Sequence, residues 1–225
     1  MYKILFIGIG KMGFPMAGFL SEKYEVSVYN RSKEKISIWK KKYGGNAVEN
    51  LNQLDEKFDF IISCIGNDDD LREITSNDNG CFNAIRKNTI FIDHSTVSPK
   101  IVQELELKLK EKEAFFLDAP ISGGQLGAEK GQLSIMVGGD KNAFNKSESI
   151  FEVYGKKRKY MGSSGSGQLT KIINQICIAG LVQGLSESIY FMKQTKLNPE
   201  DVLDVISSGA AQSWQMDNRF MTMTE

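Results

Sequence analysis

The feature that most constrains this chain is a glycine pattern set between a strand and a helix. Residues 2–7, Tyr2-Lys3-Ile4-Leu5-Phe6-Ile7, are a short apolar run, long enough for one buried strand. They lead into Gly8-Ile9-Gly10-Lys11-Met12-Gly13, and Pro15-Met16-Ala17-Gly18-Phe19-Leu20 then reads as a helix start. G-x-G-x-x-G is a weak signal alone, but the strand before it and the helix after it are the context that dinucleotide binding requires. Gly8 allows the sharp turn out of the strand. Gly10 leaves the backbone bare, so a pyrophosphate can approach. Gly13 lets the helix pack close, and the free N–H groups of the helix start face the anion. Lys11 and Met12 lie within the same phosphate-binding turn. The competing reading is a glycine-rich turn with no ligand, and the flanking elements argue against it.

The bulk properties exclude several classes. The chain has 225 residues, which suits one large domain or a domain plus a smaller one. Its 28 basic and 28 acidic residues cancel, so nothing favours nucleic acid or a membrane surface. The charged runs at 40–42 and 108–113 are explained as solvated faces. Gly8 and Gly10 interrupt the opening apolar stretch, so no secretory leader is expected. Cys64, Cys81 and Cys177 lack metal spacing and read as reduced thiols of a cytoplasmic protein. With His94 as its only histidine, the chain offers no His-based metal cluster, and no metal is expected.

Strand patterns recur at 25–29, 58–65, 89–93, 114–118, 133–137 and 157–161, with helical patterns at 32–43, 68–74, 98–112 and 140–154. Ser98 caps one of these helices, with Pro99 at its first position. This alternation predicts an α/β fold, a Rossmann-type doubly wound and mainly parallel sheet. The run Gly162-Ser163-Ser164-Gly165-Ser166-Gly167 marks a boundary, giving a dinucleotide-binding domain at 1–163 and an all-helical domain at 164–225. The helical domain begins with a long helix at 168–193, apolar on most faces, including Ile172, Ile173, Ile176, Leu181, Leu185 and Ile189. Such a helix is expected to be buried, and its apolarity predicts a homo-oligomer. Lys171, Asn174, Gln175, Gln183 and Glu187 interrupt it and argue against a membrane span. Further helices are expected from Asn198 to Gly209 and from Trp214 onward.

Several residues suit chemistry. A dinucleotide site that prefers NAD carries an acid at the end of the second strand, where it binds the ribose 2′-hydroxyl. This chain has Asn30, Arg31 and Ser32 there. An Arg can hold a 2′-phosphate through paired charge-assisted hydrogen bonds, so the cofactor is read as NADP, with NAD as the alternative. The competing reading of Arg31 is a surface residue opening a helix. Ile65-Gly66-Asn67 and His94-Ser95-Thr96 each follow a strand, where open α/β sheets bind ligands, and Thr96 offers a hydroxyl. His94 is a candidate base, though a structural hydrogen-bonding role is the commoner fate of such a residue. Ser122-Gly123-Gly124 combines a hydroxyl with bare backbone N–H groups, an arrangement suited to a carboxylate or to a plain turn. On the long helix, Lys171 and Asn174 share a face. A Lys in an apolar helix is paired, snorkelling or functional, and burial lowers its pKa toward the range useful for proton transfer.

Four ordered motifs make the chain resemble the β-hydroxyacid dehydrogenase family across essentially its whole length. That family includes 3-hydroxyisobutyrate dehydrogenase and the tartronate semialdehyde and glyoxylate/succinic semialdehyde reductases. The motifs begin at Gly8, at Asp93-His94-Ser95-Thr96, at Asp118-Ala119-Pro120-Ile121-Ser122-Gly123-Gly124 and at Gly167-Gln168-Leu169-Thr170-Lys171. The resemblance implies hydride transfer between a nicotinamide cofactor and a short β-hydroxyacid or its semialdehyde. It implies Lys171 as the general acid or base and Asn174 as its substrate-binding neighbour. Ser122, Gly123 and Gly124 would bind the substrate carboxylate, Thr96 would lie near the nicotinamide ribose, and Trp214 near the substrate. Family members continue with further helices that bring a Lys-Asp pair to the site, and this sequence ends at Glu225 before them. The alternatives are a dinucleotide-binding protein without activity and an enzyme akin to the imine reductases. Lys171 argues against the latter, since such enzymes commonly lack it.

Overall fold

The computed structural model describes residues 1–54 and 57–225. The apolar run at the amino end forms β1 (Lys3–Ile7), and Gly13 opens α1 (Gly13–Ser21). There follow β2 (Glu25–Tyr29), α2 (Lys33–Tyr43), β3 (Asn46–Ala47), β4 (Phe60–Ser63) and α3 (Asp68–Thr75). After a short 3-10 turn at Cys81–Asn83 come β5 (Ile90–Asp93), α4 (Pro99–Lys110) and β6 (Phe115–Asp118). Then β7 (Ile121–Ser122), α5 (Gly124–Glu129), β8 (Leu133–Gly139), α6 (Lys141–Tyr154) and β9 (Gly155–Gly162) complete the strand-bearing part. The rest is helical: α7 (Ser166–Lys193), α8 (Pro199–Ile206) and α9 (Trp214–Thr224).

The strands form one sheet in the order β3-β2-β1-β4-β5-β6-β8-β7, with β9 added alongside β8. All neighbours from β3 to β6 are parallel, β8 runs antiparallel to β6 and β7, and β9 is parallel to β8. The mainly parallel, doubly wound sheet expected from the alternation is thus what forms. Side chains alternate across each strand, so two cores lie on opposite faces. Ile4, Phe6, Val28 and Ile62 pack with Met16 and Leu20 of α1 and Ile150 and Phe151 of α6. Leu5, Ile7, Ile61 and Phe91 pack with Leu71 of α3 and Ile101, Leu105 and Leu109 of α4. In α4 the spacing of those residues is the one-sided apolar stripe of a helix on a sheet. Ser98 Oγ accepts from the Ile101 N–H at 3.2 Å, the expected cap.

Some elements differ from the sequence reading. The strand expected at 58–65 narrows to four residues. Beyond it Ile65 turns out of the ladder, and its N–H goes instead to Ser95 Oγ at 3.0 Å. Three short elements, β3, β7 and α5, escape the patterns; the two strands exist only through pairing, Asn46 with Ser27 and Ala47 with Val28 in β3, and Ile121 with Ile135 and Ser122 with Ser134 in β7. The helix begun by Asn198 ends at Ile206, short of Gly209.

The chain divides into two compact units, Met1–Lys171 and Ile172–Glu225, so the division falls inside α7, whereas the sequence placed it at 163/164. In the second unit, Leu185, Ile189 and Met192 of α7 bury against Met216 and Phe220 of α9, with Val202, Leu203 and Ile206 of α8 beside them. Within this chain much of the long helix is left uncovered. Ile173, Ile176 and Phe191 are 63%, 66% and 71% exposed. The reason is geometric: α8 and α9 are short and cover one stripe of a helix apolar on several. By length and composition α7 could cross a membrane, a property it shares with core helices of soluble proteins.

Candidate functional site

The glycine turn folds as its spacing requires. Gly8 has φ +93°, and a Cβ there would lie 2.5 Å from the Cys64 carbonyl oxygen. A Cβ on Gly13 would lie 2.1 Å from the Gly8 carbonyl oxygen, so no other residue lets α1 start this close to β1. Around Gly10 nothing lies within 4 Å of a Cβ, which leaves bare backbone facing open space. The residue before α1, Met12, provides no side-chain cap. The Phe14 N–H goes to the Gly10 carbonyl at 2.9 Å and Pro15 has none, so at the helix start it is the Gly13 N–H that could meet an anion.

This turn opens onto a cavity of about 330 Å³ at the carboxyl ends of β1, β2 and β4. Gly8, Gly10, Lys11, Met12, Gly13, Asn30, Arg31, Ile65 and Gly66 line it, together with Asp70 and Glu73 of α3. Ser32, Asn67 and Thr96 lie outside that lining. Asn30 braces the turn: its Oδ1 accepts from the Ile9 N–H at 3.2 Å, and its Nδ2 donates to the Ser32 carbonyl. Arg31 Nη1 lies 3.1 Å from Asp70 Oδ1. Asn67 caps α3, its Oδ1 accepting from the Asp70 N–H at 2.9 Å. The bare Gly10 backbone, the uncapped helix start and a cavity at the strand ends together fit a dinucleotide.

A second cluster forms where α7 begins. The Asp118 carboxylate, at the end of β6, accepts from the N–H groups of Gly165 and Gln168, both at 2.9 Å. It therefore caps α7 from the sheet. Burial pushes the Asp118 carboxyl up to about 6 against the pull of those two N–H groups. The Gln168 side chain then grips both sides of Thr96. Its Nε2 donates to the Ser95 carbonyl at 2.8 Å, and its Oε1 accepts from the Val97 N–H at 3.3 Å. Thr96 itself is exposed between them. One turn later Lys171 Nζ donates to the Ile121 carbonyl at 2.8 Å. That bond holds the half-buried ammonium beside Ser122, Gly123 and Gly124, and burial lowers its pKa below the ordinary lysine value. The structure thus joins Lys171, the Ser122 turn and the Thr96 loop through two motif residues to which the sequence reading gave no role, Asp118 and Gln168.

Asp93 supports the same region. It lies directly opposite Asp118 in the ladder. Its Oδ1 accepts from the Ser63 and Ser95 hydroxyls at 2.7 and 2.6 Å, while Oδ2 has no partner among the described residues. Burial pushes this carboxyl up to about 6. His94 is not placed as a base. Its Nδ1 is 2.6 Å from the Ala119 carbonyl and its Nε2 2.8 Å from the Tyr154 hydroxyl. Both nitrogens are occupied in the core, and burial lowers its pKa to about 4, which keeps the ring neutral. Asn174 and Trp214 belong to the second unit. Asn174 Nδ2 donates to Gln175 Oε1 at 3.1 Å, and Trp214 opens α9, 59% exposed.

Residues 3–162 match the family described as the NAD binding domain of 6-phosphogluconate dehydrogenase. Residues 165–225 match the one described as NAD-binding of NADP-dependent 3-hydroxyisobutyrate dehydrogenase. An uncharacterized oxidoreductase of Shewanella frigidimarina is 44% identical over 224 residues, 99% of this chain and 77% of that protein. The 2-hydroxy-3-oxopropionate reductase of Escherichia coli is 33% identical, spanning 94% of this chain and 72% of the reductase. Among solved structures, Mycobacterium tuberculosis 3-hydroxyisobutyrate dehydrogenase with L-serine superposes with a TM-score of 0.87 at 25% identity, covering 98% and 75% of the two chains. A Myxococcus stipitatus imine reductase, at a TM-score of 0.73 and 16% identity, shares the fold alone. With its glycine turn open to a strand-end cavity and both of its parts matched, this chain belongs to the β-hydroxyacid dehydrogenase family of NAD(P)-dependent oxidoreductases, the family of 3-hydroxyisobutyrate dehydrogenase.

Proposed function

We propose that the chain moves hydride between NADP and a short β-hydroxyacid or its semialdehyde, such as 3-hydroxyisobutyrate, with Lys171 as the proton-transfer group. The observation that carries this reading is the Lys171–Ile121 hydrogen bond of 2.8 Å, which fixes an ammonium at the edge of the Ser122 turn. The nicotinamide, when bound, supplies or accepts the hydride. Gly8, Gly10, Lys11, Met12 and Gly13 hold its pyrophosphate, and Ile65, Gly66, Asn67 and Thr96 flank the rest of it. Asn30, Arg31 and Ser32 form the 2′-phosphate end, and the Arg31 guanidinium, 70% exposed, is the group that favours NADP over NAD.

The substrate carboxylate sits on the Ser122 hydroxyl and the N–H groups of Gly123 and Gly124, with φ +134° and +61°. The semialdehyde's carbonyl oxygen then takes a proton from Lys171 Nζ during reduction, and the neutral amine takes it back from the resulting hydroxyl during oxidation. Lowering of the Lys171 pKa by burial brings both forms nearer to neutral pH. Reduction therefore slows as pH rises through that pKa, while oxidation quickens. Asn174 and Trp214 are assigned to the substrate. The protein is proposed to act in the cytoplasm, as a homo-oligomer.

The test is a spectrophotometric screen of NADPH and NADH against small semialdehydes and hydroxyacids, with Lys171→Ala alongside. The variant is expected to lose about 10²-fold in turnover, the scale of a lost acid–base group, with NADPH affinity nearly intact. Equal turnover in the variant refutes the role of Lys171. Binding of NADPH without turnover across the whole panel refutes the enzymatic reading.

A further inference from the structure

The cofactor cavity contains a carboxylate that the glycine motif does not call for. Asp70, on the first turn of α3, lines it together with Arg31, and the two are ion-paired at 3.1 Å. Their mobilities differ. Asp70 is held by a reciprocal cap: its N–H donates to Asn67 Oδ1 at 2.9 Å, and Asn67 Nδ2 donates to its Oδ2 at 3.2 Å. Its side chain is only 20% exposed. Arg31 is 70% exposed and, among the described residues, has Asp70 as its only ionic partner. A fixed carboxylate thus faces a guanidinium that is free to turn.

This arrangement bears on selectivity at the ribose 2′ position. The end of β2, where an acid would favour NAD, holds Asn30, and its amide is committed to the Ile9 N–H and the Ser32 carbonyl. The negative charge absent from β2 is instead supplied from α3. A phosphate approaching Arg31 meets a guanidinium already neutralised and a carboxylate that repels it. A 2′-hydroxyl meets no such cost and can donate to a carboxylate. We infer that Asp70 is a selectivity residue that competes with the 2′-phosphate for Arg31 and so narrows the preference for NADP over NAD. This rests on Arg31 being the 2′-phosphate ligand.

The test is calorimetric titration of the full chain with NADP+ and with NAD+, for the parent, Asp70→Asn, Asp70→Ser and Arg31→Ala. Ser retains a hydroxyl toward Asn67, so the second Asp70 variant guards against loss of the α3 cap. Both Asp70 variants are expected to bind NADP+ about fivefold more tightly while NAD+ changes by less than about twofold, the scale of one exposed charge pair. If they leave NADP+ affinity unchanged while Arg31→Ala weakens NADP+ selectively, the role of Asp70 is overturned and the Arg31 reading stands. Equal gains for both dinucleotides also overturn it. If Arg31→Ala leaves the NADP+:NAD+ ratio unchanged, the cofactor reading fails and this inference fails with it.

Discussion

Replacing Gly167 by Ala tests whether the start of α7 must lie this close to the sheet. A Cβ at Gly167 would meet the carbonyl oxygens of Asp118 and Met136, each at 2.5 Å, and Asp118 Oδ2 at 2.8 Å. The two carbonyls are strand backbone, at the end of β6 and the middle of β8, so neither yields without moving the sheet. Helix propensity alone favours Ala over Gly by at most about 1 kcal/mol. Overpacking against a rigid neighbour costs about 1–3 kcal/mol, and two backbone clashes put this site at the upper end. The net expectation is a loss of about 2 kcal/mol. Gly180, on the same helix, is the internal control: nothing lies within 4 Å of a Cβ there. Gly180→Ala should keep the propensity gain of about 0.5–1 kcal/mol. Urea unfolding followed by far-UV circular dichroism and by tryptophan fluorescence, from the fully buried Trp39 in the first unit and Trp214 in the second, reads both variants. The Gly167 variant also shifts Gln168 and Lys171, so turnover should fall by about tenfold or more, as small misplacements of reacting groups do. NADPH affinity should fall less than turnover, because the glycine turn is untouched and only the Thr96 loop leans on Gln168. A Gly167→Ala protein as stable as the parent would show that the close approach is not a constraint.

Arg31→Asp should reverse the coenzyme preference, since it exchanges a phosphate-binding cation for an acid suited to a 2′-hydroxyl. An unchanged NADPH:NADH ratio of kcat/KM removes the case for NADP. His94→Gln should alter how stability depends on pH. The folded protein holds His94 near 4 against 6.5 in the unfolded chain, so between those values the unfolded chain binds more protons and acid destabilises the parent. The parent's advantage over the variant should therefore shrink by up to about 3 kcal/mol as pH falls from 6.5 to 4, measured by urea unfolding at each pH. Asp93 and Asp118, raised to about 6, act with the opposite sign, but both proteins contain them, so the difference isolates His94. A gap constant with pH would mean the ring is not held neutral.

What the sequence discloses here is whatever the local backbone must do. Gly8 and Gly13 are legible because any side chain there would strike chain only a few residues away or the adjoining strand. Ser98 with Pro99 is legible because a helix cap is satisfied within four residues. The parallel sheet follows from strands alternating with helices, each too apolar to stand alone. What stays hidden is closed by long loops. Gln168 finds Ser95 across 73 residues and Asp118 meets Gln168 across 50. The pattern shows a Gln and an Asp, and neither carries a mark of its distant partner. Strand β7 is hidden for the same reason, since two residues have no period and Ile121 becomes strand only against Ile135. The apolarity of α7 is legible, but its partners are not. Hydrophobic periodicity states what a helix would bury if partners were supplied, and α8 and α9 supply them for one stripe alone. Arg31 joins both lessons. Its charge and position after β2 suggest a phosphate ligand, yet its ionic partner Asp70 arrives from α3 only once β4 is laid beside β1. A coenzyme preference argued from the end of the second strand is therefore incomplete without the third helix, because the charge beside Arg31 is the sum of both.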